Sequence, residues 1–166
     1  ATNTDEAVIR GDEIAGRWQA LEDLSLRGNY TFTDSEQKSG QNIGRPLGNS
    51  ARHMANAMVE WQATDKLNFL LSSEMRSKRY RSYDVANEKE LFYKSYTVLH
   101  LAASYEVNSW LTVNGRVNNL LDRDFTTYDT AFYDLDGDGR YQTTGEVVYL
   151  DHYNNKDKAR SFWVSV

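Results

Sequence analysis

Apolar and polar residues alternate along most of this chain. Leu24, Leu26, Gly28, Tyr30 and Phe32 share one parity, and Ser25, Arg27, Asn29, Thr31 and Thr33 the other. His53, Ala55, Ala57, Val59 and Trp61 likewise oppose Met54, Asn56, Met58, Glu60 and Gln62. Leu67, Phe69, Leu71, Ser73 and Met75 oppose Asn68, Leu70, Ser72, Glu74, Arg76 and Lys78. Over 96–125, Leu99, Leu101, Ala103, Tyr105 and Val107 face away from His100, Ala102, Ser104 and Glu106. After a turn at Asn108-Ser109, Leu111, Val113, Gly115 and Val117 alternate with Thr112, Asn114, Arg116 and Asn118. A period of two puts successive side chains on opposite faces of a sheet, so each segment predicts a strand with one oily and one polar face. A first strand of poorer alternation is expected over about 6–19, around Ile9, Ile14 and Trp18, and a last one over 160–166, with Phe162, Val164 and Val166 on one face. That makes about seven strands, antiparallel if neighbours in sequence pair.

The connections alternate in length. Short ones are expected at 20–23, 64–66 and 108–109, and long polar ones at 33–51, 82–92 and 126–158. In a soluble sandwich the oily face is the core, and strands average about 5–6 residues. In an outer-membrane barrel the oily face meets lipid and the polar face lines the lumen; turns are short at one end and loops long at the other. Strands of about 9–11 residues suit a tilted bilayer crossing. The long strands and the alternating connections favour an all-β, antiparallel transmembrane β-barrel segment. Alternatives are a soluble calcium-stabilised β-domain, such as an adhesin module, and a porin-like channel without a plug.

Composition narrows this a little. The mean hydropathy of −0.71 leaves no room for a transmembrane helix, but a barrel needs only every second residue apolar. A net charge of −5, from 19 basic and 24 acidic residues, argues against nucleic acid as the main partner. The chain has no cysteine, so disulfides and thiolate metal sites are excluded. The first residues, ATNTDEAVIR, lack the basic start and apolar middle of a signal peptide.

Several segments carry a family likeness. Val117-Asn118-Asn119-Leu120-Leu121-Asp122-Arg123-Asp124-Phe125 resembles the "NLxD+xY" segment on the penultimate strand of TonB-dependent outer-membrane receptors, with Phe125 for the usual Tyr. The ending Ala159-Arg160-Ser161-Phe162-Trp163-Val164-Ser165-Val166 resembles their final strand, with Ala159 for the usual Gly. Asp5 to Glu13, and Tyr30-Thr31-Phe32-Thr33-Asp34 followed by Arg45-Pro46-Leu47, are similar in the same order. The receptors that these segments resemble most are those for ferric catecholate siderophores of the enterobactin type. The resemblance implies a 22-stranded barrel, its lumen plugged by a separate N-terminal domain. Seven strands are too few, and odd in number, for a closed bacterial barrel. The chain would then be the C-terminal part of such a barrel, without plug or TonB-binding segment. The implied partners are a ferric siderophore, the rest of the barrel and the plug, the TonB complex, and outer-membrane lipid with lipopolysaccharide. The implied place is the outer membrane of a Gram-negative bacterium. No nucleophile motif, phosphate loop or HExxH helix is present, so no enzyme is expected, and no cofactor is required.

Candidate binding residues follow from type and place. Arg76, Lys78 and Tyr80 share the lumen parity if the fourth strand runs on, and suit an anionic complex through charge and cation–π contact. Arg79, Arg81 and Tyr83 would then face outward, towards lipopolysaccharide phosphates; a generic interfacial band of basic and aromatic residues is the plainer alternative. Among the loop aromatics Phe92, Tyr93, Tyr128, Phe132, Tyr133, Tyr141 and Tyr149, the tyrosines 93, 128 and 133 are candidates for an external binding surface. Asp134, Asp136 and Asp138, followed by Gly139, match the start of a calcium loop, and Arg140 (by its carbonyl), Gln142 and Glu146 could complete it. Position twelve is Gly145 rather than Glu, which leaves a solvated acidic turn as the alternative. His53, His100 and His152 show no metal spacing; His100 is expected on the lumen wall.

Overall fold

The computed structural model describes residues 6–124, 128–140, 144–145, 147–151 and 159–166. Seven strands form one antiparallel sheet: β1 (Ala7–Leu21), β2 (Leu24–Gln37), β3 (His53–Thr64), β4 (Leu67–Arg76), β7 (Tyr96–Asn108), β8 (Leu111–Asn118) and β11 (Ser161–Ser165). They pair in that order, each with its neighbour in the sheet, as a plain up-and-down meander. Two short hairpins lie in the long connections: β5 (Arg79–Asp84) with β6 (Lys89–Tyr93), and β9 (Tyr128–Phe132) with β10 (Val147–Asp151). The chain divides into two compact units, 1–123 with 159–166, and 124–158. No helix long and apolar enough to cross a membrane occurs among the described residues, which says nothing of crossing by strands.

Register converts sequence parity into rows that run across the sheet. Trp18 lies opposite Leu26, Leu26 opposite Val59, Val59 opposite Leu71, Leu71 opposite Leu101, Leu101 opposite Val117 and Val117 opposite Phe162. The row below it holds Leu24, Trp61, Phe69 and Ala103. Trp61 and Phe69 stack with ring centres 5.7 Å apart. Above it lie Ile14, Tyr30, Ala55 and Met75. From that row down to the short turns, no Asp, Glu, Lys or Arg stands on this face. Charge returns above it at Asp12, opposite Phe32, and below it at the Glu22-Asp23 and Asp65-Lys66 turns. The opposite face carries Glu13, Arg17, Arg27, Asn29, Asn56, Glu60, Glu74, Arg76, His100 and Arg116.

Among the described residues of the first unit, no second layer covers either face of this sheet. Trp18, Phe162 and Val164 are 66%, 70% and 78% exposed. Among the described residues the only buried apolar side chains are Ala51, Tyr80, Tyr93 and Val98, all at the end of the sheet where the long connections lie. A soluble domain closes a core between two layers, and a contiguous apolar face of this extent is otherwise covered by a partner or by lipid. The sandwich alternative therefore fails on the architecture.

The short turns share one construction. Register shifts fall between Gln19 and Leu21, Gln62 and Thr64, and Glu106 and Asn108, one bulge before each two-residue turn. The Gln19 and Gln62 side-chain amides donate to the Leu21 and Thr64 carbonyls at 2.6 and 2.7 Å, bracing each bulge against its turn. The third turn is Ser109-Trp110, one residue later than the alternation predicts, because this bulge shifts the register.

The long connections differ from expectation in three places. β2 runs on to Gln37, so the first loop begins at 38 rather than 33. The segment 82–92, expected as loop, is largely the β5–β6 hairpin, and 126–158 contains β9 and β10. Ile9 has the opposite parity to Ile14 and Trp18 and pairs beyond the apolar rows, opposite Ser35; this accounts for the poor alternation of β1.

The Asn119–Asp122 turn closes β8. Asn119 is 1% exposed and, like Asp122, has a left-handed backbone, with φ of 50° and 52°. Asn and Asp tolerate that region better than other side-chain-bearing residues. The Asn119 side chain donates to the Arg123 carbonyl and accepts from the Arg123 amide, both at 2.9 Å. Its own amide donates to His100 Nδ1 at 3.1 Å. Asp122 accepts the Arg160 amide at 3.0 Å, fastening the approach to β11. Asn119→Ala should therefore cost about 2–4 kcal/mol, the range for a buried polar hub whose partners are left unpaired. Urea unfolding of the whole folded protein measures it; a loss under about 0.5 kcal/mol would show that the turn holds without its side chain.

Candidate functional site

Two regions carry the predicted chemistry: the polar wall of the sheet and the loop cluster at its long-loop end. The cluster is built from the end of β2 upward. The Gln37 amide donates to the Arg45 carbonyl at 2.8 Å, its side chain to the Pro46 carbonyl at 2.9 Å, and Leu47 N–H to Ser35 Oγ at 3.0 Å. These bonds fold 38–52 back on the strand, with Gly40, Gly44 and Asn49 supplying positive φ where the chain reverses. Asn49 N–H then donates to the Tyr80 carbonyl at 2.8 Å and Tyr80 N–H to the Ser50 carbonyl at 3.2 Å. Loop and hairpin are thus joined backbone to backbone.

Aromatic and cationic side chains fill the join. The Arg45 guanidinium lies 3.4 Å from the Tyr83 ring centre. Arg79 is 4% exposed, donates to Asn49 Oδ1 at 3.2 Å, and sits 5.3 and 5.5 Å from the Tyr96 and Tyr93 rings. No carboxylate pairs with it among the described residues, so the ring faces carry much of its charge. Its Nε and the Tyr80 hydroxyl are buried without a hydrogen-bond partner. A hollow of about 340 Å³ opens beside Tyr80, lined among others by Arg52, Lys78, Glu90 and Phe92.

The six residues expected to meet a ligand are not equivalent. Arg76 lies on the polar face, ion-paired to Glu74 at 3.0 Å, and Glu74 also accepts the Tyr96 hydroxyl at 3.0 Å. Lys78 is exposed, its ammonium 4.2 Å from the Phe92 ring centre. Tyr80 and Tyr93 are 3% and 7% exposed, packed inside the cluster. Tyr133 is exposed. The side chain of Tyr128 lies outside the described residues, as do those of Phe132 and Tyr149 and all of Tyr141 and His152. The parity expected to run from Arg76 through Tyr83 does not: β4 ends at Arg76, Ser77 and Lys78 break the strand, and β5 starts a separate hairpin. Arg79 and Tyr80 are consequently both buried in the cluster, Arg79 against Tyr93 and Tyr96 and Tyr80 against Phe92, rather than one facing the lumen and one the outside. Arg79, expected to face outward, is instead buried in the cluster; Arg45 was named in the sequence only as part of the family-like Arg45-Pro46-Leu47 run, and Tyr96 was not singled out as a site residue.

The acidic loop belongs to the second unit. Carboxylate oxygens of Asp134, Asp136 and Asp138 lie within 4.8 Å of one another, all exposed. Asp134 accepts the Gly137 and Gly139 amides at 2.8 and 3.0 Å, and Asp138 accepts the Arg140 amide at 2.7 Å. Gln142 and Glu146 lie outside the described residues.

Residues 1–120 match the family model described as TonB dependent receptor-like, beta-barrel. This chain belongs to that family. The iron-regulated outer membrane virulence protein of Vibrio cholerae is 33% identical over 138 residues, covering 83% of this chain and 21% of that protein. The ferric enterobactin receptor PirA of Pseudomonas aeruginosa is 27% identical over 156 residues, 90% of this chain and 20% of the relative. A crystal structure of the ferric enterobactin receptor PfeA of Pseudomonas aeruginosa, a double mutant, superposes with a TM-score of 0.66 at 22% identity, over 98% of this chain and 22% of that one, which shows the fold. The chain spans about a fifth of the length of these relatives. As a TonB-dependent receptor segment it is outer-membrane barrel and not an enzyme.

Burial pushes the Tyr80 phenol above its ordinary 10.0, and the nearby Arg45 cation offsets this only in part. A group raised in the folded state stabilises it below the unfolded value; the effect is lost as pH climbs through the folded one. The loop cluster should therefore loosen above about pH 10. Tyr80→Phe should be neutral or slightly stabilising at pH 7, since it deletes an unpartnered hydroxyl, and should remove the alkaline loosening. Proteolytic nicking of 38–52 between pH 8 and 11 measures both; unchanged alkaline nicking in the variant would place the titrating group elsewhere.

Proposed function

We propose that this chain forms the C-terminal part of the barrel, wall and outer loops, of a receptor that takes up a ferric siderophore of the catecholate class with energy delivered through TonB. One observation carries the barrel reading: an uncharged apolar face continuous over seven strands, backed by a polar face and capped at one end by structured loops. Its height fits. From Ala55, in the topmost uncharged row, to Ala63 at the short turn the strand rises eight residues, about 27 Å at roughly 3.4 Å each. Tilted at about 40°, that is roughly 20 Å, close to the apolar band of about 25 Å in outer-membrane barrels. Aromatic residues edge the band as an interfacial girdle does, Tyr30 bonded to His53 above and Trp61 stacked on Phe69 below.

The remaining parts follow from that placement. Lipid acyl chains cover the band, and lipopolysaccharide meets the charged rim above it, near Arg10 and Asp12. The polar face lines the lumen and meets the plug. The catecholate class is supported by the likeness to PirA. Lys78 and Tyr133, both exposed, and the hollow beside Tyr80 are the described features at which the outer loops could meet an anionic ferric complex. Calcium at 134–146 is a finer part of the proposal, supported by three convergent carboxylates and the glycines that bend the loop around them.

Two experiments test this. Leu71→Arg, in the middle of the apolar row, should cost the whole receptor about 2–4 kcal/mol of bilayer folding, whereas Ser72→Arg, one residue on and facing the lumen, should cost little. Equal costs would refute the face assignment. Titrating the full receptor with ferric catecholate, ferric hydroxamate and cobalamin, followed by tryptophan fluorescence, should show saturable binding of the first alone. Binding only of another ligand would refute the substrate class, and an affinity unmoved by chelator and added Ca²⁺, with no change in proteolysis of 134–146, would remove calcium.

A further inference from the structure

The ladder between β7 and β8 ends at Leu101 and Val117, and a side chain takes over from it. Continued unbroken, that register would set Leu99 against Asn119. Instead the Leu99 carbonyl accepts the Leu120 amide at 2.7 Å, one residue late. Asn119 turns to a positive φ at this point, and its own amide leaves the strand-to-strand ladder. His100 supplies the acceptor: Nδ1 receives the Asn119 N–H at 3.1 Å. The residue is buried, and a buried amide left unmet is costly. From there the Asn119 side chain fixes the Arg123 backbone, and Asp122 fixes the Arg160 amide. One imidazole nitrogen thus stands under the two residues that bracket 124–158.

A backbone N–H can only donate, so the nitrogen that receives it must carry a lone pair. The His100 ring is therefore neutral, with its hydrogen on Nε2. A second proton would put a hydrogen on Nδ1 too, and two donors would then face each other. Imidazole is the side chain that ordinarily makes this change between about pH 5 and 8. His100 lines a hollow of about 690 Å³ on the polar face, which lets protons reach the ring. It stands on a strand paired on both sides. The charged residues on its face of the adjoining strands are Glu74 and Arg76 of β4 and Arg116 of β8. Its own strand adds Glu106, and the turn adds Asp122 and Arg123. Glu74 is engaged by Arg76 and Tyr96, and Arg116 by Asn118.

We infer that His100 is a proton-sensitive latch on the Asn119–Asp122 turn: its neutral ring holds the turn, and protonation releases it. The hold is present at neutral and alkaline pH and is lost on acidification, the opposite sense to the loosening around Tyr80. The latch is a property of the sheet and is independent of the ligand carried.

The test reads hydrogen-exchange protection in the full receptor at about pH 7.5 and about pH 4.5, corrected for the pH dependence of intrinsic exchange. In the wild type, protection over 117–123 should fall about ten-fold in acid, the size of one hydrogen bond, while the β2–β4 ladders keep theirs. His100→Asn keeps an acceptor, its Oδ1, near the place of Nδ1 but does not titrate. It should retain wild-type protection at the higher pH and lose the acid response. His100→Leu should show the lowered protection at both pH values. An acid response that persists in His100→Asn would overturn the latch and assign the change to another group, Asp122 first. So would an unchanged wild type in acid, or full protection in His100→Leu at the higher pH. If neither variant forms a heat-modifiable barrel, the wild type decides: a fall confined to 117–123 supports the latch, and its absence overturns it.

Discussion

Hydrocarbon offers no partner to an amide, so every backbone N–H and C=O at that depth must be answered by another strand. That requirement shapes this unit more than any side-chain contact does. It explains strands of up to 15 residues, a meander in which each strand pairs with its neighbour in the sheet, and ladders unbroken through the apolar rows. It also explains where irregularity is allowed. The three bulges lie beside the short turns, at the edge of the band, and glutamine side chains at two of them donate to the backbone of the turn. The outermost strands β1 and β11 each have one side without a partner strand in this sheet, which the rest of a barrel would supply.

With the ladder satisfied, side chains divide by solvent. The outer face of a membrane barrel needs only to be uncharged and apolar, and gains no close packing from a second layer. Tight packing occurs instead among loops, where water is available and rigidity has to be built from local contacts. The cluster around Arg79 and Tyr80 is such a construction: backbone bonds from 49–50 to the hairpin, cations laid on tyrosine faces, and two polar atoms left unanswered inside. Unanswered polar atoms weaken a cluster relative to an apolar one of the same shape. Rigidity here is therefore local and modest.

The sheet was legible in the sequence because period two is a strong signal, and register then follows from keeping all oily residues on one side. His53 to Trp61 and Leu67 to Met75 needed no other information. What escaped was set by tertiary contact. Lys78 and Arg79 continue the alternation in sequence, yet the strand stops, because 49–51 supplies the partner for a new hairpin at Arg79. Ile9 broke the pattern only because it lies outside the apolar band. The family-like run at 117–125 was visible as letters, but its reason was not: Asn119 and Asp122 are there for a left-handed backbone and for bonds to residues on both sides of a long insertion.

That last turn has a consequence for how such a protein changes over generations. Because Asp122 grips Arg160 directly, the final strand finds its place by a local clasp, whatever number of residues is threaded between. The interval 124–158 can lengthen, shorten or exchange its contents while the sheet goes on folding as before. New sequence in that interval can then be tried out at small risk to the scaffold.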